Sequence, residues 1–250
     1  MISGLVSADS AHFMNMVDAA LAEARSDTHT MILSSEGLFH RWWDFSSAGL
    51  SALQSLVARF PLQFWLFFRE PVSFARSFYI QMLKNPRGLG PCYGQDVSVS
   101  DMLDDPRFAL HLDYIGYIRT VEAALGAGTV RPFHYQGDTI AGTLAALEIG
   151  DLEPSTMQEN RTIGKFGVGL IRMINQRTMA VEQKWQAVRL IEELDKLVDD
   201  YKWPLALEPE VVSRIDALSA DSVRAFEQRY GLAIGRAQGC RPAAADDNRQ

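Results

Sequence analysis

Basic charge, cysteine pairs and long apolar runs are all scarce in this sequence, and each scarcity removes a class of function. Acidic residues outnumber basic ones by 31 to 24, a formal net charge of -7. That balance opposes non-specific attraction to phosphate backbones or anionic lipid, so neither nucleic acid nor a membrane is expected as a partner. The two cysteines, Cys92 and Cys240, lie far apart, one in a Gly/Pro loop and one near the carboxyl terminus. Neither a disulfide framework nor a CxxC metal pair is available from them, and two free thiols in a reducing compartment are expected. The longest apolar run, residues 64–68, falls far short of the roughly 20 residues of a membrane span. The opening stretch MISGLVSADSAHFMNM lacks the basic flank and continuous apolar core of a signal peptide. A cytoplasmic protein is the expectation.

Glycine-rich phosphate motifs are missing as well. Gly164, Gly167 and Gly169 make neither the GxxxxGK followed by Ser or Thr of a P-loop nor a GxGxxG turn behind a strand. Close helix packing is the expected reason for them. No DxD-like metal–sugar motif stands at a strand end, which weakens a glycosyltransferase reading, although Glu36 and nearby aromatics could recognise a sugar.

What is present is an ordinary globular composition, 47% hydrophobic and 22% charged over 250 residues, enough for one large domain with a substantial core. Phe13, Val17 and Leu21 mark an amphipathic helix over 9–26 with a cap near Ser10. A short strand is expected at Thr30, Met31, Ile32 and Leu33, and a helix over 48–60 ending before Pro61. The apolar run 62–68 reads as a parallel strand covered on both faces, with Arg69 at its carboxyl end. Pro71 opens the next helix, whose stripe is Val72, Ala75, Phe78 or Tyr79, and Met82; a long Gly/Pro-containing loop follows it. A helix over 106–125 carries Phe108, Leu112, Ile115, Ile118 and Val121 on one face, and a third strand is expected over 129–135.

This alternation predicts an α/β fold, a parallel sheet with flanking helices joined by right-handed crossovers. Beyond about residue 155 only helices are expected. Ile163, Phe166, Leu170 and Ile174 mark one, 185–198 a second and 211–230 a third, so the second half is helical cover. Residues 1–234 are read as a single domain and 235–250, without apolar periodicity, as a disordered tail.

Open α/β sheets bind ligands outside the carboxyl ends of their strands. The first such end here is Arg69, with Ser77 eight residues later on the second turn of the following helix. A guanidinium fork and a hydroxyl suit a phosphate, helped by a helix amino terminus; a surface Arg69 paired with Glu70 is the plainer alternative. The second end is Ser34-Ser35-Glu36, where Glu36 can act as a general base or simply cap a helix. Beside it, His40 with Phe39, Trp42, Trp43 and Phe45 either lines an acceptor pocket or packs a core. The third end offers His134 and Tyr135, read as structural.

These residues resemble those of the bacterial sulfotransferases, which use 3′-phosphoadenosine 5′-phosphosulfate (PAPS) on a P-loop-kinase-like fold. Arg69 and Ser77 are similar to that family's 3′-phosphate-binding pair. Leu33-Ser34-Ser35-Glu36-Gly37, Tyr79-Ile80-Gln81, Leu112-Asp113-Tyr114, Val130-Arg131-Pro132-Phe133, Asn160-Arg161 and the run from Leu170 to Asn175 match pieces of the family in order, over roughly residues 28–232. The resemblance implies transfer of a sulfuryl group from PAPS to a hydroxyl or amine of a carbohydrate or other small acceptor, with no metal. It implies that Arg69, Ser77 and Arg161 hold the cofactor's 3′-phosphate and that Glu36 or, as a rival, His40 is the base. The sequence departs from the family at its start, where a strand and a Lys-Thr-Gly-Thr-Thr-like loop normally cradle the 5′-phosphosulfate. The expectation drawn from that departure is either a reading frame begun too far downstream or a shortened relative that binds nucleotide or a protein partner with impaired catalysis.

Overall fold

The computed structural model describes residues 5–6, 10–35, 37–88, 92–135, 139–149, 163–198 and 205–234. The expected tail, 235–250, lies outside them. Among the described residues the protein is mixed α/β and mostly helical, with one small sheet of two strands, β1 (Phe64–Phe68) and β2 (Val130–His134). Phe64 N–H donates to Thr129 O and Tyr135 N–H to Phe68 O, each at 2.7 Å. The start of one strand therefore meets the start of the other, and the pair is parallel. Residues 64, 66 and 68 are buried while 65 and 67 are half-buried, the pattern of a strand with both faces partly covered rather than one open to water.

The strand expected at residues 30–33 does not form. The described stretch 28–35 is neither helix nor strand, and Met31 and Ile32 are exposed. Three apolar residues behind a threonine are compatible with a strand but do not create one, because a strand needs a ladder partner for its N–H and C=O groups. No such pairing involves this stretch among the described residues.

The chain divides into two compact units, Met1–Leu66 with Tyr114–Phe133, and Phe67–Asp113 with His134–Gln250. In the first, α1 (Ser10–Glu23) packs on α3 (Ser47–Arg59), and α3 on α7 (Tyr114–Leu125). Phe13 and Val17 are buried, as the four-residue spacing predicted. Ser46 caps α3 by accepting from Gly49 N–H at 3.0 Å. Between α1 and α3 lie the short helix α2 (Gly37–Arg41) and a 3₁₀ turn, Trp42–Asp44.

The second unit is built on α4 (Pro71–Lys84). Around it stand α5 (Val99–Asp104), α6 (Pro106–Leu112), α9 (Lys165–Asn175), α10 (Val181–Asp195) and α11 (Pro209–Tyr230), and the unit also contains α8 (Thr139–Ala146). The predicted stripe of α4 is buried, with Phe78 and Tyr79 both inside. It joins Met102, Phe108, Val168, Ile171, Val188 and Ile215 in one core. The single helix expected over 106–125 is two, broken at Asp113 (φ -88°, ψ 75°). Phe108, Leu112, Ile115, Ile118 and Val121 are nevertheless all buried, the first two within the second unit and the other three within the first.

One expected stripe holds only in part: Ile163 is buried and Leu170 and Ile174 pack against the core. On α9 the buried residues are Gly167, Val168, Ile171 and Asn175, whereas Phe166 of the predicted stripe is 38% exposed. The buried face is set by Asp195, 1% exposed at the end of α10, whose carboxylate accepts Gly164 N–H and Gly167 N–H, each at 2.7 Å. A side chain from one helix thus caps the amino terminus of its neighbour. A Cβ at Gly167 would stand 2.8 Å from Asp195 Oδ1, so a glycine is required there. Close helix packing, the reason expected for these glycines, holds for Gly167.

Candidate functional site: the strand ends of the second unit

Phe68 is 2% exposed and its ring packs against Phe226 of α11, centroids 5.0 Å apart. This anchors the last residue of β1, and the next one, Arg69, leaves the sheet half-buried. The hydrogen bond from Tyr135 N–H to Phe68 O brings the end of β2 alongside. As a result the Arg69 guanidinium lies over the Tyr135 ring, 4.4 Å from its centroid. A cation held on an aromatic face gains about 0.5–2 kcal/mol. The N–H donors of a guanidinium lie in its own plane, so a contact through its flat face leaves them directed sideways.

The turn into α4 is arranged differently from the expectation. Pro71 opens the helix as predicted, but Glu70 is its cap: Oε1 accepts Val72 N–H at 3.0 Å and Oε2 accepts Ser73 N–H at 2.7 Å. The first-turn amides that would favour a bound anion already hold the chain's own carboxylate, and the positive end of the helix is correspondingly offset. Ser77 is exposed on the second turn. It stands seven residues beyond the cap, a rise of about 10 Å and nearly two full turns, hence on the same helix face as Glu70. Any ligand touching both Arg69 and Ser77 must lie along that face and past the Glu70 carboxylate.

The remaining predicted residues are elsewhere. Glu36 and Arg161 lie outside the described residues. His40 belongs to the first unit, on α2, half-buried with its ring edge-on to Phe39 at 5.6 Å. Phe39, Trp42 and Trp43 converge on Tyr117, with centroid distances of 4.6, 6.2 and 6.0 Å. Burial raises the Tyr117 phenol well above its ordinary pKa, and its O–H donates to Leu38 O at 3.3 Å. The cluster is packed ring on ring, and Trp43 Nε1 within it is buried without a hydrogen-bond partner among the described residues.

Two features of the second unit escaped the sequence. Tyr135 was read as structural, and only the pairing of β1 with β2 puts it under Arg69. Lys184, 4% exposed, donates to Leu83 O at 3.0 Å and to Asn175 Oδ1. Burial, with the nearby Arg87 charge second, lowers its pKa to about 8. A lysine inside an otherwise charged helix gives no sequence signal of that kind.

Among the described residues no group of three or more His, Cys, Asp or Glu is placed to hold a metal ion, and no helix is long and apolar enough to cross a membrane. The fold and the strand ends together define a mostly helical α/β protein whose paired strands present an arginine stacked on a tyrosine. Compared with known proteins, the chain matches no family model, and no curated protein and no solved structure shows significant similarity to it.

Proposed function

We propose that this protein is sulfotransferase-like, on a P-loop-kinase-like fold, and binds PAPS for transfer of its sulfuryl group to a hydroxyl or amine of a carbohydrate or small acceptor. The observation carrying the reading is Arg69, held at the carboxyl end of a parallel strand by its stack on Tyr135. In this reading Arg69 grips the 3′-phosphate, Ser77 and Arg161 add donors, and Glu36 or His40 takes the acceptor's proton as sulfur is attacked in line. A second reading, a relative that binds nucleotide or a protein partner without turnover, is favoured by the Glu70 cap, which occupies the first-turn amides of α4.

Calorimetric titration with adenosine 3′,5′-bisphosphate tests the common element of both nucleotide readings. Arg69→Ala is expected to weaken binding at least tenfold. Glu70→Gln, which removes a negative charge from the ligand's path, is expected to tighten it. Wild-type binding no tighter than that of Arg69→Ala overturns the site. A separate assay of sulfuryl transfer from PAPS distinguishes the enzyme from the binder.

A further inference from the structure

Part of the surface of the α9–α10 pair is apolar and exposed. Helices α9 and α10 run antiparallel, since Gly167 near the start of α9 meets Asp195 at the end of α10, while Asn175 at the end of α9 meets Lys184 near the start of α10. On α9, Phe166 and Met173 are seven residues apart and so on one face, 38% and 64% exposed. On α10, Leu190 and Leu194 are four residues apart and 66% and 49% exposed, and Leu197, in the turn just after the helix, is 82% exposed. Taking 100° per residue from Gly167 on α9 and from Asp195 on α10, with α4 as the common core side, the pairs Phe166/Met173 and Leu190/Leu194 lie on the side of the hairpin turned away from α4.

We infer that this outward face of the α9–α10 hairpin is the surface through which two copies of the chain associate, forming a four-helix contact about a two-fold axis. The area argues for a second copy. The exposed fractions of the five side chains equal about three fully exposed large apolar groups, on the order of 500 Å² at roughly 150–200 Å² each. That is the upper part of what a monomer ordinarily leaves in one patch. A standard interface buries roughly 800 Å² per partner, of which about 65% is apolar in homodimers, again about 500 Å². A two-helix face also packs on its own copy as an antiparallel bundle, the closed arrangement that leaves no apolar surface over.

Sedimentation velocity of the full chain over about 1–200 µM is the test. The wild type is expected to shift from one chain to two as concentration rises. With each chain at -7, association should tighten when salt is raised and the long-range repulsion is screened. Leu190→Asp and Met173→Asp, at exposed positions that a fold tolerates, are each expected to raise the dissociation constant at least 100-fold with circular dichroism unchanged. Leu194→Glu and Leu194→Lys should each be monomeric alone and pair when mixed, as a two-fold contact demands. A wild type that stays monomeric throughout overturns the proposal. So does a dimer indifferent to Leu190→Asp, or a monomer whose α10 amides and leucines are shielded by the chain's own residues.

Discussion

Asp195 and Gly167 should be coupled strongly enough that one substitution changes sign in the background of the other. Asp195→Ala removes two hydrogen bonds to a buried carboxylate, at 2.7 Å each, and strands the N–H groups of Gly164 and Gly167. Bonds to a charged partner contribute about 1.5–3 kcal/mol each. Relief from burying the charge offsets part of this, leaving a loss of about 3 kcal/mol and a fall of roughly 6–12 °C in Tm for a chain of this size. Gly167→Ala in the wild type places a methyl 2.8 Å from Oδ1 and 3.0 Å from Cγ of a carboxylate that two bonds hold still. Displacing it costs about 1–3 kcal/mol, which outweighs the roughly 0.8–1 kcal/mol gained when alanine replaces glycine in a helix. Once Asp195 is alanine the two nearest atoms are gone, only Cβ at 3.3 Å remains, and Gly167→Ala should stabilise by about 0.5 kcal/mol. Urea unfolding of the four proteins measures the cycle. Additivity within about 0.5 kcal/mol, or the same sign for Gly167→Ala in both backgrounds, would refute the account of the cap.

Lys184 supplies a prediction in pH. Its folded pKa, about 8, lies below the ordinary lysine value of about 10.4, so between these the unfolded chain binds more protons and stability rises with pH. The stability of wild type relative to Lys184→Met should therefore increase from pH 8 to pH 10. The increase should be about 1–3 kcal/mol, the two acceptors of the ammonium holding it below the full shift; a flat or falling difference in urea unfolding contradicts the assignment. Cys92 donates to Asp105 at 3.6 Å, and burial followed by the Asp105 charge raises its thiol pKa. Alkylation by iodoacetamide at pH 7.5, followed by peptide mass spectrometry, should label Cys92 several-fold more slowly than a model thiol and faster in Asp105→Asn. Equal rates in wild type and variant would remove Asp105 from the explanation.

The parts of the fold that were legible are those where local chemistry and burial coincide. The run 62–68 and the segment 129–135 reappear as Phe64–Phe68 and Val130–His134, and Pro71 starts α4 as its ring geometry dictates. Thr30 to Leu33 has the same apolar look as β1 but no ladder partner among the described residues, and that is a tertiary fact. On α9 hydropathy marks Ile163, Phe166, Leu170 and Ile174, of which Ile163 is buried and Leu170 and Ile174 pack against the core. The fully buried face is turned toward Gly167, Ile171 and Asn175, where an aspartate 28 positions from Gly167 accepts its N–H. The strand-end turn was legible as a position, from Arg69 after an apolar run. Its neighbours were not: Tyr135 arrives through strand pairing, and Glu70 turns from a presumed ion-pair partner into a helix cap.

Each compact unit is assembled from two separated stretches of chain, and this governs how the protein can be made and cut. The first unit gains α7 only after residues 67–113 have been synthesised. Closing a loop of about 50 residues costs roughly 3 kcal/mol of chain entropy by the length term alone. On the ribosome α1 and α3 must wait for α7 with Leu53 and Leu56 uncovered, the interval in which chaperones compete with aggregation. Neither unit can be excised cleanly by trimming one end: a chain cut after Phe133 keeps every residue of the first unit but still carries 67–113, and a chain cut before Phe67 keeps every residue of the second but still carries 114–133.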